Sequence, residues 1–259
     1  MNYLMTLVAA LFMMFPAANA TEKQDVTLET EKAPFRVLTY NVQHCMGEDG
    51  KIDYDRISNI INQIDADVVC LQEIDSVNGR TRDDQMAILG EKTGMYQYFS
   101  KSIDFMGGTY GNGMLSKRKP IGVHRIALPG SEPRSAIALE FKKYVVIGTH
   151  LALEPENREK SIELITDFAK GFNKKVYLAG DFNAADPKAK FHEIASRDWN
   201  RESVNEPTWP TGKPVECLDM VFVLKGFKSK LLKSKAVYVL PDVNVSNASD
   251  HYPLYSEFK

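Results

Sequence analysis

An α/β fold, with a β-sheet covered by helices, is what this sequence predicts, and three observations carry that expectation. Residues 35–40 form a run rich in β-formers that ends at Asn41. Residues 54–64 place Ile57, Ile60, Ile61 and Ile64 on one helical face, and residues 67–71 form a second apolar run ending in Gln72-Glu73. A strand, a helix and a strand in that order, with both strands apolar rather than alternating, describe a sheet buried on both faces. Each strand carries its polar residue at the C-terminal end, and in such sheets sites collect where strand ends open to solvent.

The remaining elements follow in order. Residues 83–93 read as a helix stopped by Gly94, and residues 96–103 as a strand. The stretch Gly107-Gly108-Thr-Tyr-Gly111-Asn112-Gly113 reads as a glycine-rich loop without the spacing of a nucleotide-binding fingerprint; its glycines either let the backbone approach a ligand or turn the chain. Strands are expected over residues 114–116 and 121–128, then a hairpin of residues 135–141 and 144–148 that runs into Thr149-His150. A helix over 156–169 starts after Pro155, at a position proline favours. Residues 176–179 form a buried-type strand broken at Gly180, which delivers Asp181 and Asn183. If both continue the strand's alternation their side chains share a side, whereas Gly, Asp and Asn together also describe a plain turn. A short helix over 191–195, strands over 218–224 and 237–240, and a last strand ending near Phe258 complete the reading.

Composition sets the outer limits. Of 259 residues 44% are hydrophobic and 25% charged, which suits a globular chain with a large core. No repeat, low-complexity block or linker divides residues 34–259, so one domain is expected there. Ahead of it, residues 4–15 form an uncharged apolar run followed by Ala18-Asn19-Ala20, the layout of an export signal over residues 1–20. That run is shorter than the roughly 20 residues that span a bilayer, and the expected location is periplasmic or extracellular. Residues 21–33 are polar, without periodicity, and read as a flexible lead-in. The net charge of -2 excludes a strongly basic nucleic-acid footprint, although Lys117-Arg118-Lys119 and Lys228, Lys230, Lys233 and Lys235 form local basic clusters. Cys45, Cys70 and Cys217 lack metal-ligand spacing, and Cys70, inside an apolar run, reads as a core residue. One disulfide beside one free thiol is the alternative for an exported chain.

The polar residues at the strand ends are Asn41, Glu73, His150, Asp181, Asn183, Asp219, Asp250 and His251. Each taken alone is more often a turn or a cap. Their shared placement beside buried runs favours a site, and an oxygen-rich set without a cysteine cluster points to a hard cation such as Mg2+ or Ca2+.

Six short motifs, Leu38-Thr-Tyr-Asn41, Leu71-Gln-Glu73, Gly148-Thr-His150, Gly180-Asp-Phe-Asn183, Leu218-Asp219 and Ser249-Asp-His251, stand in one order. In that order the chain resembles the endonuclease/exonuclease/phosphatase superfamily, with its deoxyribonuclease I-like fold, from Phe35 to Phe258. The resemblance implies a four-layered α/β sandwich of two packed, mostly antiparallel sheets flanked by helices. It further implies metal-dependent attack of water on a phosphate ester. By motif, Asn41, Glu73 and Asp250 would hold Mg2+, with Mn2+ or Ca2+ as alternatives. Asp181 would activate the water, Asn183 would hold that water or the phosphate, and Asp219 would orient His251. His251 and His150 would stabilise the phosphate or the leaving group. His150 is similar to the histidine of secreted deoxyribonucleases, sphingomyelinases and inositol-polyphosphate phosphatases. Tyr110 stands one residue from the tyrosine that abasic-site endonucleases use, and Asn112 matches the family loop.

Arg80, Tyr110, Asn112 and Trp209 are the expected substrate contacts. For Arg80 a solvated loop position is the competing reading, and for Trp209 a loop cap; His44, His124 and His192 read as surface or packing residues. The expected function is a monomeric phosphodiesterase or nuclease-like enzyme acting on a phosphoester, with nucleic acid one candidate. A phosphatase or a sphingomyelinase-like phospholipase C is the alternative, and a catalytically silent binding module a third reading.

Overall fold

Strands that are apolar on both faces need cover on both faces, and this decides the layering. The computed structural model describes residues 34–259, so the export signal expected over 1–20 and the lead-in over 21–33 lie outside the described residues. Among the described residues the elements in order are β1 (Phe35–Asn41), α1 (Tyr54–Ile64), β2 (Val68–Ser76), α2 (Gln85–Thr93), β3 (Tyr96–Phe105) and β4 (Gly108–Ser116). There follow β5 (Gly122–Leu128), β6 (Arg134–Glu140), β7 (Tyr144–His150), α3 (Pro155–Lys170), β8 (Lys175–Asp181) and α4 (Lys190–Asp198). The chain closes with β9 (Trp199–Arg201), β10 (Asp219–Leu224), β11 (Leu231–Ala236) and β12 (Leu254–Phe258).

Two six-stranded sheets result, in the orders β11-β12-β1-β2-β4-β3 and β5-β6-β7-β8-β10-β9. Each contains one parallel pair, β1 with β2 and β7 with β8, and is otherwise antiparallel. Those two pairs are the ones whose strands are joined through a helix, α1 and α3, as a parallel connection requires. Val37, Val68, Cys70, Met114, Ile137, Val146, Ala179, Val221 and Leu254 form the core between the sheets. The outer face of the first sheet packs Leu38, Val69 and Leu71 on Ile57, Ile60, Ile61 and Ile64 of α1 and on Met86 and Leu89 of α2. The second sheet packs Ile147, Leu178 and Phe222 on Ile162 and Ile165 of α3 and Phe191 of α4. The four-layered sandwich is therefore the observed fold. At Gly148 a Cβ would stand 3.2 Å from both Cβ and Sγ of Cys70, so a side chain there would need Cys70 on the facing sheet to give way by a few tenths of an ångström.

α1 matches its expected bounds because its signals are local. Asp53 caps it by accepting from the Arg56 N–H, the isoleucines make its buried face, and Asp65 in the left-handed region (φ 54°) ends it. The glycine-rich stretch, by contrast, is no loop. It is β4, and its glycines are there because neighbours crowd them: a Cβ on Gly111 would stand 2.1 Å from the Ser100 carbonyl oxygen. The turn is confined to Met106-Gly107, both at positive φ, between the paired Phe105 and Gly108. β2 runs on to Ser76 instead of ending before Gln72-Glu73, with a bulge between Leu71 and Ile74. The strand expected over 237–240 is displaced to β11, whose side chains are largely exposed and so lack a buried run. The three-residue strand β9 has no signal of its own. No helix among the described residues is long and apolar enough to cross a membrane.

Candidate active site

The register of the second sheet sets half of the site. His150 of β7 lies directly opposite Asp181 of β8, and Asp181 directly opposite Asp219 of β10. Partners in register point to the same face, so three polar side chains stand in a row across three strands at the open end of the sandwich. At Gly180, just before Asp181, a Cβ would fall 2.1 Å from the Thr149 carbonyl oxygen, and glycine is what lets these strands close up beside the site.

The first sheet supplies the facing half. Asn41 ends β1 and donates through Nδ2 to Glu73 Oε1 and to Asp181 Oδ2, each at 3.1 Å, and so bridges the sheets. Glu73 stands in the β2 bulge with φ 62°, a left-handed conformation unusual for glutamate. Asp250 and His251 arrive on the segment before β12, pinned by Ser249, whose hydroxyl donates to the Asn41 carbonyl at 2.7 Å. His251 Nδ1 bonds Asp219 Oδ2 at 2.9 Å, and its Nε2 lies 3.6 Å from Asp181 Oδ2. On the other side, His150 Nε2 lies 3.5 Å from the same Asp181 oxygen.

Asn183 reaches the site by a route other than strand alternation. β8 ends at Asp181, whose Oδ1 accepts the Asn183 backbone N–H at 3.0 Å, and Asn183 itself is left-handed (φ 50°). Its amide donates to the Leu151 carbonyl at 2.9 Å and meets His150 Nε2 at 3.1 Å. That contact makes Nε2 the acceptor and assigns the proton of neutral His150 to Nδ1.

Electrostatics divide the two histidines. Burial pulls His150 down to about 4 despite the nearby Asp181, so it is neutral at pH 7. His251 is also penalised by burial, yet Asp219 and Asp181 on either side raise it to about 10, making it an imidazolium. Asp219 lies above its ordinary value because burial outweighs its imidazolium partner. Asp181, equally buried, is held below its ordinary value by His150, His251 and its hydrogen bonds. Glu73 is raised by burial and then by repulsion from Asp250 and Asp181.

Two groups of side chains could hold a cation. Asp181, Asp219 and His251 bring one ligand atom each within 4.8 Å of one another. That set mixes imidazole with carboxylates, and His251 already bonds Asp219 through Nδ1, whereas a hard cation takes oxygen ligands. Glu73 and Asp250 suit a hard cation better: they offer carboxylate oxygens, and Glu73 faces two further carboxylates whose repulsion a cation would relieve, with Asn41 beside them giving its amide N–H to Glu73 while its Oδ1 accepts the Gln43 N–H.

The expected substrate contacts divide. Arg80 is an exposed loop residue that is nonetheless held in place: the buried carboxylate of Asp75 grips it through Nε and Nη2, both at 2.8 Å, over the rings of Phe105 and Tyr110. Tyr110, beside Glu73, has its phenol raised by burial first and then by that carboxylate. Asn112 is buried and donates to the Ser135 carbonyl at 2.6 Å, tying β4 of one sheet to β6 of the other. Trp209 is half-buried on the loop before β10, its backbone N–H donating to the Glu216 carbonyl. His124 packs on Phe168 and Phe172, and His192 bonds the Ala184 carbonyl. His44 is buried in a run of three left-handed residues, with both ring nitrogens unpartnered among the described residues. All three cysteines are free thiols. Sequence reasoning passed over Asp75, which aims Arg80, and Thr208, whose Oγ1 accepts the Asp219 N–H at 3.4 Å; neither carries a local signal.

The model of the endonuclease/exonuclease/phosphatase family matches residues 38–251. The chain belongs to that family. Its chemistry is therefore that of a phosphoester hydrolase. Among solved structures, an endonuclease/exonuclease/phosphatase from Beutenbergia cavernae superposes with a TM-score of 0.71 at 22% identity, over 88% of this chain and 72% of that one. A mannosyl-6-phosphatase from Bacteroides thetaiotaomicron gives 0.70 at 16%, over 87% and 99%. The human Nocturnin catalytic domain with bound sulfate gives 0.65 at 21%, over 88% and 93%. Identities this low show a common fold. Comparison with curated protein sequences gives no match. For a phosphoester hydrolase of this family, the six motifs all lie at one end of the sandwich, five of them on or beside strand ends and the sixth in the β2 bulge.

Proposed function

We propose that this chain is a divalent-metal-dependent hydrolase of phosphate esters in which water attacks phosphorus at the row His150, Asp181, Asp219. The observation that carries this reading is the pair of histidines that flank the Asp181 carboxylate at 3.5 and 3.6 Å, His251 tied to Asp219 on its far side, with burial lowering His150 and the two carboxylates raising His251. Asp181 orients the attacking water and accepts its proton, and Asn183 holds His150 in the tautomer that keeps it neutral. His251 donates toward phosphate oxygen or the departing alkoxide, and Asp219 keeps its ring in place. Asn41, Glu73 and Asp250 would hold Mg2+, which supplies Lewis-acid stabilisation of charge developing on phosphate oxygens.

A small phosphoester suits the charge distribution better than a nucleic acid. Lys117, Arg118 and Lys119 follow the end of β4, and Lys228 and Lys230 precede β11, so these basic residues lie at the end of the sheets opposite the site. The likeness to a mannosyl-6-phosphatase makes sugar phosphates the first class to try. We further propose export of the chain through residues 1–20, supported by their uncharged apolar run.

The test is a panel of sugar phosphates, aryl phosphomonoesters, aryl phosphodiesters and duplex DNA, assayed with Mg2+ and with chelator, using the wild type and Asp181→Asn. Expected is Mg2+-dependent turnover of a small ester that the substitution lowers by about a hundredfold or more. Turnover left undiminished by either the chelator or the substitution would sink the reading.

A further inference from the structure

The end of the sandwich away from the site carries a second constructed surface. The segment 117–121 crosses from β4 of one sheet to β5 of the other, and beside it the β6–β7 hairpin turns at Lys142-Lys143. Between them lies a cavity of about 320 Å³ lined by Arg118, Lys119, Ile121, Phe141, Lys142, Lys143 and Tyr144. Four of these seven side chains are cationic and no carboxylate is among them, in a chain whose net charge is -2. Arg118, Lys119, Lys142 and Lys143 are exposed, and Ile121 is 61% exposed in their midst. The wall behind is stiff: Tyr144 stacks with Phe35 at 4.5 Å and with Phe141 at 4.7 Å between ring centroids.

We infer that this basic, apolar-floored cup is a docking surface for an anionic phospholipid bilayer. A rim of cations around an exposed aliphatic side chain and the half-buried Tyr144 ring matches the interfacial region of such a membrane: phosphates for the cations, acyl-chain boundary for Ile121, and headgroup depth for the Tyr144 ring. Charge complementarity excludes a neutral partner as the main occupant. The exposed Ile121 has no use against a hydrated polyphosphate backbone, which favours a lipid surface over a nucleic acid. The site stands about 20 Å away, since the seven residues of β7 rise about 3.3 Å each from Tyr144 to His150. A docked molecule thus keeps its site turned to solvent. The surface neither contains nor touches the hydrolytic residues, and it stands or falls independently of the proposed activity.

The experiment is co-sedimentation of the full chain with vesicles of phosphatidylcholine alone or mixed with phosphatidylglycerol, over a range of salt concentrations. It compares wild type with the double variant Lys119→Glu, Lys142→Glu and with Ile121→Asp, and the midpoint of thermal unfolding serves as the fold control. Expected is binding that requires phosphatidylglycerol, falls as salt rises, and weakens on the order of tenfold or more in the double variant. Ile121→Asp should weaken it as well, and all three proteins should melt alike. Insertion of residues 4–15 alone would be insensitive to both salt and the double variant, and that result overturns the inference. So would equal binding to pure phosphatidylcholine. Binding of duplex DNA that the double variant abolishes, with vesicles ignored, would overturn it in favour of a polyanion site. If a variant melts early, the wild-type comparison of the two vesicle types and the salt series still decide.

Discussion

The two strand–helix–strand units of this molecule, β1-α1-β2 and β7-α3-β8, build the same parallel pair and present their functional groups by different means. In the second unit the strands simply end at the site: His150 and Asp181 are register partners and close β7 and β8. In the first, β1 ends at Asn41, but β2 continues for three residues past Glu73, which a bulge and a left-handed backbone push out of the ladder. The difference suits what the proposed chemistry asks of each side chain. A row of hydrogen-bonding acid–base groups needs the spacing that a regular ladder provides, whereas a carboxylate that would share a cation with Asn41 and Asp250 must leave the plane of the sheet. Strain of order 1–3 kcal/mol stored in such a conformation persists where the surroundings over-determine it.

Substitutions can break that contrast, and the largest effect is expected in the regular unit. Asp181→Asn keeps the shape and removes the base, and turnover should fall by roughly 10²–10⁴-fold with a smaller change in KM. A double variant with His251→Gln should cost little beyond the larger single loss, since residues acting as a unit are not additive, and steady-state kinetics of the pair would show it. Glu73→Gln in the bulged unit should act on the cation instead: calorimetric Mg2+ affinity should drop by about 10–100-fold or more, with activity partly regained at high Mg2+. If the Asp181→Asn enzyme is regained by Mg2+ and the Glu73→Gln enzyme is not, the division of labour is reversed.

The histidines offer a pH test of the same division. His150 is lowered to about 4 in the folded state, so the unfolded chain binds more protons between there and about 6.5. Stability should therefore decline as pH falls through that window, and His150→Gln should flatten the decline in urea titrations. His251 is raised to about 10, so its contribution is complete below about 6.5 and is lost as pH rises through about 10. The smallest effect is expected outside the site. Asp53→Ala removes the cap of α1 and should lower stability by about 1 kcal/mol with no change in turnover, measurable by denaturant unfolding.

Much of this was legible in the sequence where the signal is local or periodic. The isoleucine stripe of α1 and the apolar runs of β1, β7 and β8 all fell where residue pattern placed them. Elements defined by their partners were not legible. A bulge is a mismatch between two strands and leaves no mark in one of them, so β2 was expected to stop at its first polar residues. β4 looked like a loop because glycine is poor in strands, yet Gly111 and Gly113 answer to Ser100 and Met86, which are near only after folding. The grip of Asp75 on Arg80 depends likewise on the turn that folds residue 80 back onto β2. The motif residues themselves were found by order along the chain, and the structure adds the reason they meet: register for His150, Asp181 and Asp219, and a left-handed turn for Asn183.

Asn41 gives a final consequence. One amide nitrogen reaches a carboxylate on each sheet, Glu73 on its own and Asp181 on the other, so it works as a clasp across the seam where the two halves of the sandwich meet. A slip of one half against the other by a fraction of an ångström would open that clasp while leaving every helix and strand intact. Substitutions deep in the seam, at Cys70, Met114 or Gly148, should therefore register in the chemistry before they register in melting, and catalysis becomes the most sensitive gauge of how the two halves fit.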